Sequence, residues 1–196
     1  MLAIFDFDGT ISDAFSSLLI FKHLSALQIT KTFGVLIWEK LTGRGDYQRQ
    51  LVRVLTGLDK STLIEIGKNA PEIEATVELL RKMQQRGHEV LVLSYGIKPV
   101  IESFFEHRGI NVDVIAIDLD FEEGKVSGPA KDSMTQLLLA DSKYAKHRII
   151  RLKKLKPKFS VGDCEKRDKH SKHYLAVQTF SGPFMRLRQL IRSFSA

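Results

Sequence analysis

The first nine residues constrain the fold of this chain more than any other segment. Leu2-Ala3-Ile4-Phe5 is a short apolar run, which predicts a buried strand that ends in a turn. Asp6-Phe7-Asp8-Gly9 follows it directly. Side chains two residues apart on a strand point to the same face, so we expect the two carboxylates to lie close together. Two like charges this close are costly unless a cation or a proton offsets them, so the pair indicates chemistry rather than packing.

The composition is that of a globular protein of one ordinary domain, or of a core with a small insert. The chain has 196 residues, 43% of them hydrophobic, and its single cysteine excludes an internal disulfide framework. The start lacks the basic segment of a secretory signal, and no apolar run reaches the roughly 18 residues that a membrane span needs. We therefore expect a soluble, cytoplasmic protein.

The charge is distributed unevenly along the chain. Residues 142–196 contain 15 of the 30 Lys and Arg residues but only 3 of the 23 acidic residues. Such asymmetry is typical of a surface that binds a polyanion, but solvated helix faces give the same pattern and are the favoured interpretation.

The order of predicted elements indicates an α/β fold. Residues 14–86 are predicted to be helical, in the segments 14–28, 30–42, 46–57, 59–68 and 72–86. The rest alternates, with strands at 89–94, 112–117, 159–163 and 174–180, a hairpin at 119–128, and helices at 97–108, 143–155 and 184–194. Alternation predicts a mostly parallel sheet, here with a helical cap at 14–77 inserted into a core of 1–13 and 78–196.

Polar residues follow three of the predicted strands. Asp6 and Asp8 follow the first, Ser94-Tyr95-Gly96 ends the second, and Gly162-Asp163 ends a later strand, with Asp168 five residues on. The carboxyl ends of parallel strands meet at one edge of a sheet, so these groups should converge. Three carboxylates together make a hard, oxygen-rich site that suits Mg²⁺.

These motifs together resemble those of the haloacid dehalogenase superfamily of phosphohydrolases. The resemblance lies in Asp6-Phe7-Asp8-Gly9-Thr10, Ser94, a lysine before the Asp163 strand, and Gly162-Asp163 with Asp168. The helical insert is similar to the C1 cap of the phosphoserine-phosphatase-like branch, and Glu123–Gly128 is similar to a hairpin of that branch. The resemblance covers nearly the whole chain and implies a Rossmann-like core with an inserted all-helical cap.

The resemblance implies a Mg²⁺-dependent hydrolysis of phosphomonoesters. Asp6 would be the nucleophile that forms an aspartyl-phosphate, and Asp8 would be the general acid and then the general base. An aspartate at position 8 favours phosphate hydrolysis, since the dehalogenases of the family lack it. The implied phosphate-binding residues are Gly9, Ser94, Tyr95, Gly96 and Lys146, and the implied metal ligands are Asp6, Asp8, Asp163 and Asp168. Lys143, one turn earlier, is the alternative to Lys146.

The substrate is the least constrained part of the prediction. Phe15 lies in the stretch where phosphoserine phosphatases carry a glutamate for the substrate's ammonium group, which argues against phosphoserine. Arg53 resembles a cap arginine that reaches the substrate in those enzymes. We expect a small phosphorylated metabolite. The alternatives are a polyanionic or lipid phosphate recruited by the basic residues, with nucleic acid less favoured, and a non-catalytic binding protein.

Overall fold

The computed structural model describes residues 1–14, 16–26, 28–30, 47–140 and 144–177 of the chain. Four predictions fall outside these residues: the substrate role of Phe15, the alternative lysine Lys143, most of the helix at 30–42, and the helix at 184–194. Among the described residues, no helix is both long enough and apolar enough to cross a membrane.

The described elements follow the predicted order. The strands are β1 (Leu2–Phe5), β2 (Glu89–Ile97), β3 (Asp113–Ile117), β4 (Leu119–Glu122), β5 (Lys125–Pro129), β6 (Pro157–Gly162) and β7 (His173–Ala176). The helices are α1 (Ser16–Phe21), α2 (Tyr47–Val54), α3 (Lys60–Lys68), α4 (Glu74–Gln85), α5 (Lys98–His107), α6 (Ser133–Ala140), α7 (Ala145–Leu152) and α8 (Glu165–Asp168).

A parallel sheet with β1 at its centre confirms the predicted fold class. The strand order is β3-β2-β1-β6-β7, and every neighbouring pair is parallel. Phe5, the last residue of β1, pairs with Val92 of β2 and Val161 of β6. The carboxyl ends of β1 and β6 therefore lie side by side, and Asp6 and Asp163 follow them.

Alternate residues of β1 pack into two separate hydrophobic clusters, one on each face of the sheet. Ala3 and Phe5 belong to the cluster that includes Leu80 of α4 and Phe104 of α5. Ile4 belongs to the other, which includes Ile149 of α7. All six side chains are nearly inaccessible to solvent. Helices thus cover both faces of the sheet, and only its edges can present a site.

The helices inserted between β1 and β2 contact the core at several places, two of which are especially close. Gly67 of α3 lies directly against Val100 and Ser103 of α5, where a side chain at position 67 would overlap both residues. The loop before α3 pairs with the β4–β5 hairpin, because the Gly57 amide donates to the Val126 carbonyl at 2.8 Å. The division into a core and a cap at residues 14–77 stays a prediction.

Two helices, α6 and the four-residue α8, were not predicted from the sequence. The longer of them is α6. It starts after Asp132, whose Oδ1 accepts hydrogen bonds from the amides of Met134 (2.9 Å) and Thr135 (3.0 Å). An aspartate that accepts amide hydrogen bonds at the start of a helix is a common capping arrangement. The signal was therefore present in the sequence, but α6 is short and the hairpin before it dominates the local pattern.

Candidate active site

The carboxylates predicted to converge lie together at the carboxyl-end edge of the sheet. Asp6 follows β1, Asp163 follows β6, and Asp168 ends the short helix α8. One carboxylate oxygen of each lies within 4.8 Å of the others. Asp6 and Asp168 are buried and Asp163 is partly buried. The edge therefore holds three acidic groups in a space that a single cation could bridge.

Lys146 supplies a buried positive charge to this cluster. Its Nζ lies 2.9 Å from Asp6 Oδ1 and 2.6 Å from Asp168 Oδ1, and its side chain is 1% exposed. Burial lowers the pKa of Lys146, but the two carboxylates outweigh that effect and raise it overall, so the side chain is an ammonium ion. The flanking Ala145 and Ile149 are buried, which fixes this side of α7 against the core.

The two oxygens of the Asp6 carboxylate have different surroundings. Oδ1 accepts hydrogen bonds from the Phe7 amide at 2.8 Å and from Lys146. Oδ2 accepts no hydrogen bond from any described residue. Burial raises the pKa of Asp6, and the charge of Asp168 adds to this, while Lys146 opposes it. The carboxylate is thus oriented through one oxygen and leaves the other available.

Asp8 is held by the first residue of α1. Its Oδ1 accepts a hydrogen bond from the Ser16 amide at 2.8 Å, and its Oδ2 lies 2.9 Å from Ser16 Oγ. Burial raises the pKa of Asp8 to about 7, with the charge of Asp6 as a further cause. A carboxyl group with this pKa can donate and accept a proton near neutral pH. Ser16 was not predicted as a site residue, although a serine at a helix start is a recognisable signal.

Asp168 is more fully bonded than Asp163. Besides Lys146, its carboxylate accepts a hydrogen bond from the Cys164 amide, 3.0 Å from Oδ2. Asp163 has one long contact, 3.5 Å from Oδ1 to Arg167 Nη2. Burial raises the pKa of Asp163 to about 6, and the charge of Asp6 adds to this. Asp168 is therefore placed to orient Lys146 and the backbone at Cys164, whereas Asp163 has oxygens available for a cation.

Two glycines allow the loops of the site to approach one another. Gly9 has φ of +71°, a conformation that favours glycine, and a Cβ there would lie 3.1 Å from Asp163 Oδ2. A Cβ on Gly96 would lie 2.9 Å from Ser16 Oγ and 3.2 Å from Asp8 Oδ2. Close packing within the protein therefore explains why glycine occupies both positions, without any appeal to ligand binding.

The predicted phosphate-binding groups surround Asp6 but are partly engaged with each other. The Gly96 amide donates to Ser94 Oγ at 3.0 Å, and the Gly9 amide donates to the Ser12 carbonyl at 2.9 Å. Ser94 is buried. Because its oxygen is the acceptor in the bond from Gly96, its hydroxyl hydrogen can donate to another group. The Tyr95 ring lies 5.3 Å from Lys146 Nζ. In this arrangement the hydroxyl of Ser94 is better placed to donate to a ligand than either glycine amide.

These groups open onto a cavity of about 330 Å³. Its lining residues are Asp6, Asp8, Ser16, Gln48, Leu51, Ser94, Tyr95, Gly96, Ile97 and Arg167. Gln48 and Leu51, from α2, and Arg167 were not predicted as site residues. Arg53 is exposed on α2 near Gln50 and does not line the cavity, so its substrate role stays a prediction. A larger depression of about 470 Å³ beside Ile110 is remote from the carboxylates.

Five exposed basic residues of the C-terminal part lie at the other end of the sheet from the carboxylates. We define the basic surface as Arg151, Lys153, Lys154, Lys156 and Lys158. These residues occupy the end of α7, the segment that follows it and the start of β6, and all five are exposed. No described residue forms a salt bridge with them. Because Asp163 follows the other end of β6, the basic surface and the carboxylates face opposite edges of the sheet.

The chain belongs to the haloacid dehalogenase-like hydrolase family, whose model matches residues 3–154. This confirms the resemblance seen in the sequence. The matched stretch includes Asp6, Asp8, Ser94 and Lys146 and ends before Asp163.

The chain is also similar to individual phosphatases. It is 30% identical to the phosphoserine phosphatase of Wolinella succinogenes over 140 residues, which are 68% of this chain and 64% of that protein. The chain thus spans just under two thirds of the length of this relative.

Solved structures of phosphatases share the fold. A phosphoserine phosphatase in its apo form has a TM-score of 0.54 and 21% identity, over 84% of this chain and 78% of the other. The phosphoserine phosphatase of T. onnurineus has a TM-score of 0.63 and 17% identity, over 98% and 93%. Cytosolic 5'-nucleotidase IIIB, bound to cytidine, has a TM-score of 0.61 and 17% identity, over 99% and 78%.

Proposed function

We propose that this chain is a Mg²⁺-dependent phosphomonoesterase that acts on a small phosphorylated metabolite through an aspartyl-phosphate on Asp6. The observation that carries the proposal is the state of Asp6. One of its oxygens is held by a buried ammonium group, and the other accepts no hydrogen bond from the described residues. An oriented carboxylate with an available oxygen, beside a general acid and inside a cavity, suits nucleophilic attack on phosphorus.

The two aspartates divide the reaction between them. Asp6 Oδ2 forms a bond to phosphorus, and the bond from phosphorus to the ester oxygen breaks. Asp8, whose pKa of about 7 leaves it protonated in part of the population at neutral pH, gives its proton to the departing alcohol. Asp8 then accepts a proton from the water that hydrolyses the aspartyl-phosphate, which returns Asp6 as a carboxylate. Lys146 neutralises charge at Asp6 throughout.

The donor set fits a hard divalent cation. The carboxylates of Asp6, Asp163 and Asp168 lie together and offer oxygen atoms of the kind that Mg²⁺ prefers. We add the Asp8 carbonyl as a further proposed ligand. Such an ion supplies charge neutralisation that lets an anionic ester approach an anionic nucleophile. We assign Asp163 as the more direct ligand and Asp168 as a residue that orients Lys146, because both oxygens of Asp168 already accept hydrogen bonds.

The size of the cavity supports a small substrate. About 330 Å³ is near the lower end of the range for small-molecule sites, roughly 300 to 1,000 Å³. The Wolinella relative is named for phosphoserine, but Phe15 in place of an acidic residue still argues against that substrate. A polyanionic substrate held by the basic surface is less favoured, since that surface faces the opposite edge of the sheet from Asp6.

Replacement of Asp6 tests the proposal. The wild-type protein should release phosphate from p-nitrophenyl phosphate when Mg²⁺ is present. Asp6→Asn should lower this rate by at least about 10³-fold, because the amide cannot form the phospho-enzyme. Asp113→Asn is the matched control, since Asp113 is exposed at the start of β3 on the opposite edge. Wild-type activity in Asp6→Asn, with an unchanged circular dichroism spectrum, would rule out the nucleophile assignment.

A further inference from the structure

Arg167 is a charged residue of the cavity to which the proposed reaction gives no task. It lies on α8, between the two carboxylates Asp163 and Asp168. Among the lining residues the other charged groups are Asp6 and Asp8, which the reaction uses. Arg167 is therefore the described positive charge that a substrate would meet along the cavity wall.

The guanidinium of Arg167 has few partners among the described residues, namely Cys164 and Asp163. Its Nη2 lies 3.5 Å from Asp163 Oδ1, which is long for a charged hydrogen bond. Its Nε is buried and donates to no acceptor among the described residues. Buried N–H groups in folded proteins usually have partners, and one without a partner calls for an explanation such as a missing ligand.

A cation at the carboxylate cluster would loosen the contact between Arg167 and Asp163. Asp163 is the carboxylate with the most available oxygens, so under the proposed function it would hold the cation. The attraction between Asp163 and Arg167 then weakens, because the metal shares the same negative charge. Arg167 would keep its charge and gain freedom to face the cavity.

The reacting phosphoryl group already has a cation of its own. Lys146 contacts the nucleophile directly, at 2.9 Å from Asp6 Oδ1. No salt bridge joins Arg167 to Asp6 among the described residues. Burial lowers the pKa of Arg167, but a hydrogen bond to Cys164 and the charges of Asp6 and Asp163 outweigh that effect and raise it. Arg167 shares the cavity with Gln48 and Leu51 of α2. Those two residues are placed to meet the leaving group of a substrate rather than its phosphorus.

We propose that Arg167 binds a second anionic group, carried on the leaving group of the substrate. A guanidinium offers Nε and Nη in one plane, which matches two oxygens of a carboxylate or a phosphate. This inference rests on the proposed function and narrows the substrate to phosphomonoesters with a second negative charge. Apart from Asp6 and Asp8, no described lining residue is a carboxylate that could receive an ammonium group.

Matched substrates test this assignment. Phosphoglycolate and 3-phosphoglycerate would be compared with the corresponding carboxamides, which keep the phosphate but lack the carboxylate charge. Ethylene glycol bisphosphate would be compared with ethylene glycol monophosphate. In at least one pair, kcat/KM of the wild-type protein should be about ten- to a hundredfold higher for the member that carries the second negative group. The carboxylate and bisphosphate pairs separate the two sources of the second charge. p-Nitrophenyl phosphate reports whether the proposed phosphatase reaction occurs at all.

Substitutions then assign the preference to one residue. Arg167→Gln should bring the preference close to one, mainly through a higher KM for the anionic substrate, and Arg167→Lys should keep part of it. Arg151→Gln is the control, because Arg151 is exposed at the far end of α7. Calorimetric titration of Asp6→Asn, with and without Arg167→Gln, should show the same change in Kd without turnover.

Three results would overturn the inference. The first is a wild-type protein that hydrolyses p-nitrophenyl phosphate but shows no preference in any pair. The second is a preference that Arg167→Gln leaves intact. The third is an equal loss of kcat/KM in Arg167→Gln for the members of a pair with and without the second negative group. That result would assign Arg167 to the reacting phosphoryl group. Absence of turnover with every ester, p-nitrophenyl phosphate included, would instead contradict the proposed function.

Discussion

The two ends of helix α7 carry the same kind of residue in opposite environments. At its start, Lys146 is 1% exposed and lies between Asp6 and Asp168. At its end, Arg151 and Lys153 are exposed, and no described residue forms a salt bridge with either. The side chains differ little in chemistry, so their surroundings decide what each can do. A buried ammonium ion persists only beside carboxylates, whereas an exposed one is stabilised by water.

The same contrast holds for the two edges of the sheet. The carboxyl-end edge concentrates partly or fully buried charges whose pKa values are shifted, and the other edge carries the solvated basic surface. Net charge therefore says little about the site, because the five cations of the basic surface lie away from it. We expect substitutions at the first edge to change activity by orders of magnitude and those at the second to change it little.

After removal of Asp6, removal of the general acid should have the largest effect, and its size should depend on the leaving group. Asp8→Asn should lower turnover of an alkyl phosphate by about 10² to 10⁴-fold, because an alkoxide leaves poorly without a proton. p-Nitrophenyl phosphate has a good leaving group and should lose less in the phosphoryl-transfer step. Rapid-quench measurement of the first turnover separates this step from hydrolysis of the phospho-enzyme. An equal loss in that step for both esters would contradict the assignment.

The pH dependence sharpens the same assignment. Because the pKa of Asp8 is raised to about 7, the protonated acid is present below that pH and is lost above it. Transfer from an alkyl phosphate should therefore fall as the pH rises through about 7, while transfer from p-nitrophenyl phosphate should fall less. The Asp8→Asn variant should lack this fall, which provides the control.

Removal of the buried cation should lower both activity and stability. Lys146→Met leaves Asp6 and Asp168 buried together without their shared partner. We expect turnover to fall by about 10² to 10³-fold and the free energy of unfolding to fall by about 3 to 5 kcal/mol. Urea denaturation measures the second effect.

Lys153→Met, at the exposed end of the same helix, is the matched control. Its effect on the free energy of unfolding should stay within about 0.5 kcal/mol. Equal losses in Lys146→Met and Lys153→Met would break the comparison between the two ends of α7.

Binding of Mg²⁺ should stabilise the folded protein. At a concentration one hundred times its Kd, a ligand of the native state adds about 2.7 kcal/mol to the free energy of unfolding. Asp163→Asn should lose most of this gain, since Asp163 is the carboxylate with the most available oxygens. Asp113→Asn should retain it. An identical rise in Tm with Mg²⁺ in all three proteins would place the cation elsewhere.

Much of the fold and the positions of the acidic residues could be predicted because they depend on short, local patterns. The apolar run before Asp6 predicted β1, and the alternation after Gly87 predicted the parallel sheet. The topology of a parallel sheet then brings the carboxyl ends of β1 and β6 together without further information. The sequence alone therefore predicts that Asp6 and Asp163 lie close together.

The remaining parts of the site depend on contacts that no short pattern contains. Ser16 holds Asp8 only because α1 returns to the edge of β1. Arg167 lies in a run of charged residues that predicts a solvated surface, and only the structure shows its buried Nε. The distinction between Asp163 and Asp168 likewise depends on the bonds that Lys146 and the Cys164 amide make to Asp168.

The smallest effects should come from reversing charges on the basic surface. Lys153→Glu with Lys156→Glu should leave kcat/KM for p-nitrophenyl phosphate within about twofold, because interactions over such distances are largely screened at physiological salt. The free energy of unfolding should change by about 0.5 kcal/mol or less for each site. Retention on heparin should fall in the double variant, since each cation lost removes a contact to the polyanion. A tenfold loss of turnover would contradict the separation of the two edges and would favour a substrate that bridges them, because only such a substrate would couple the basic surface to Asp6.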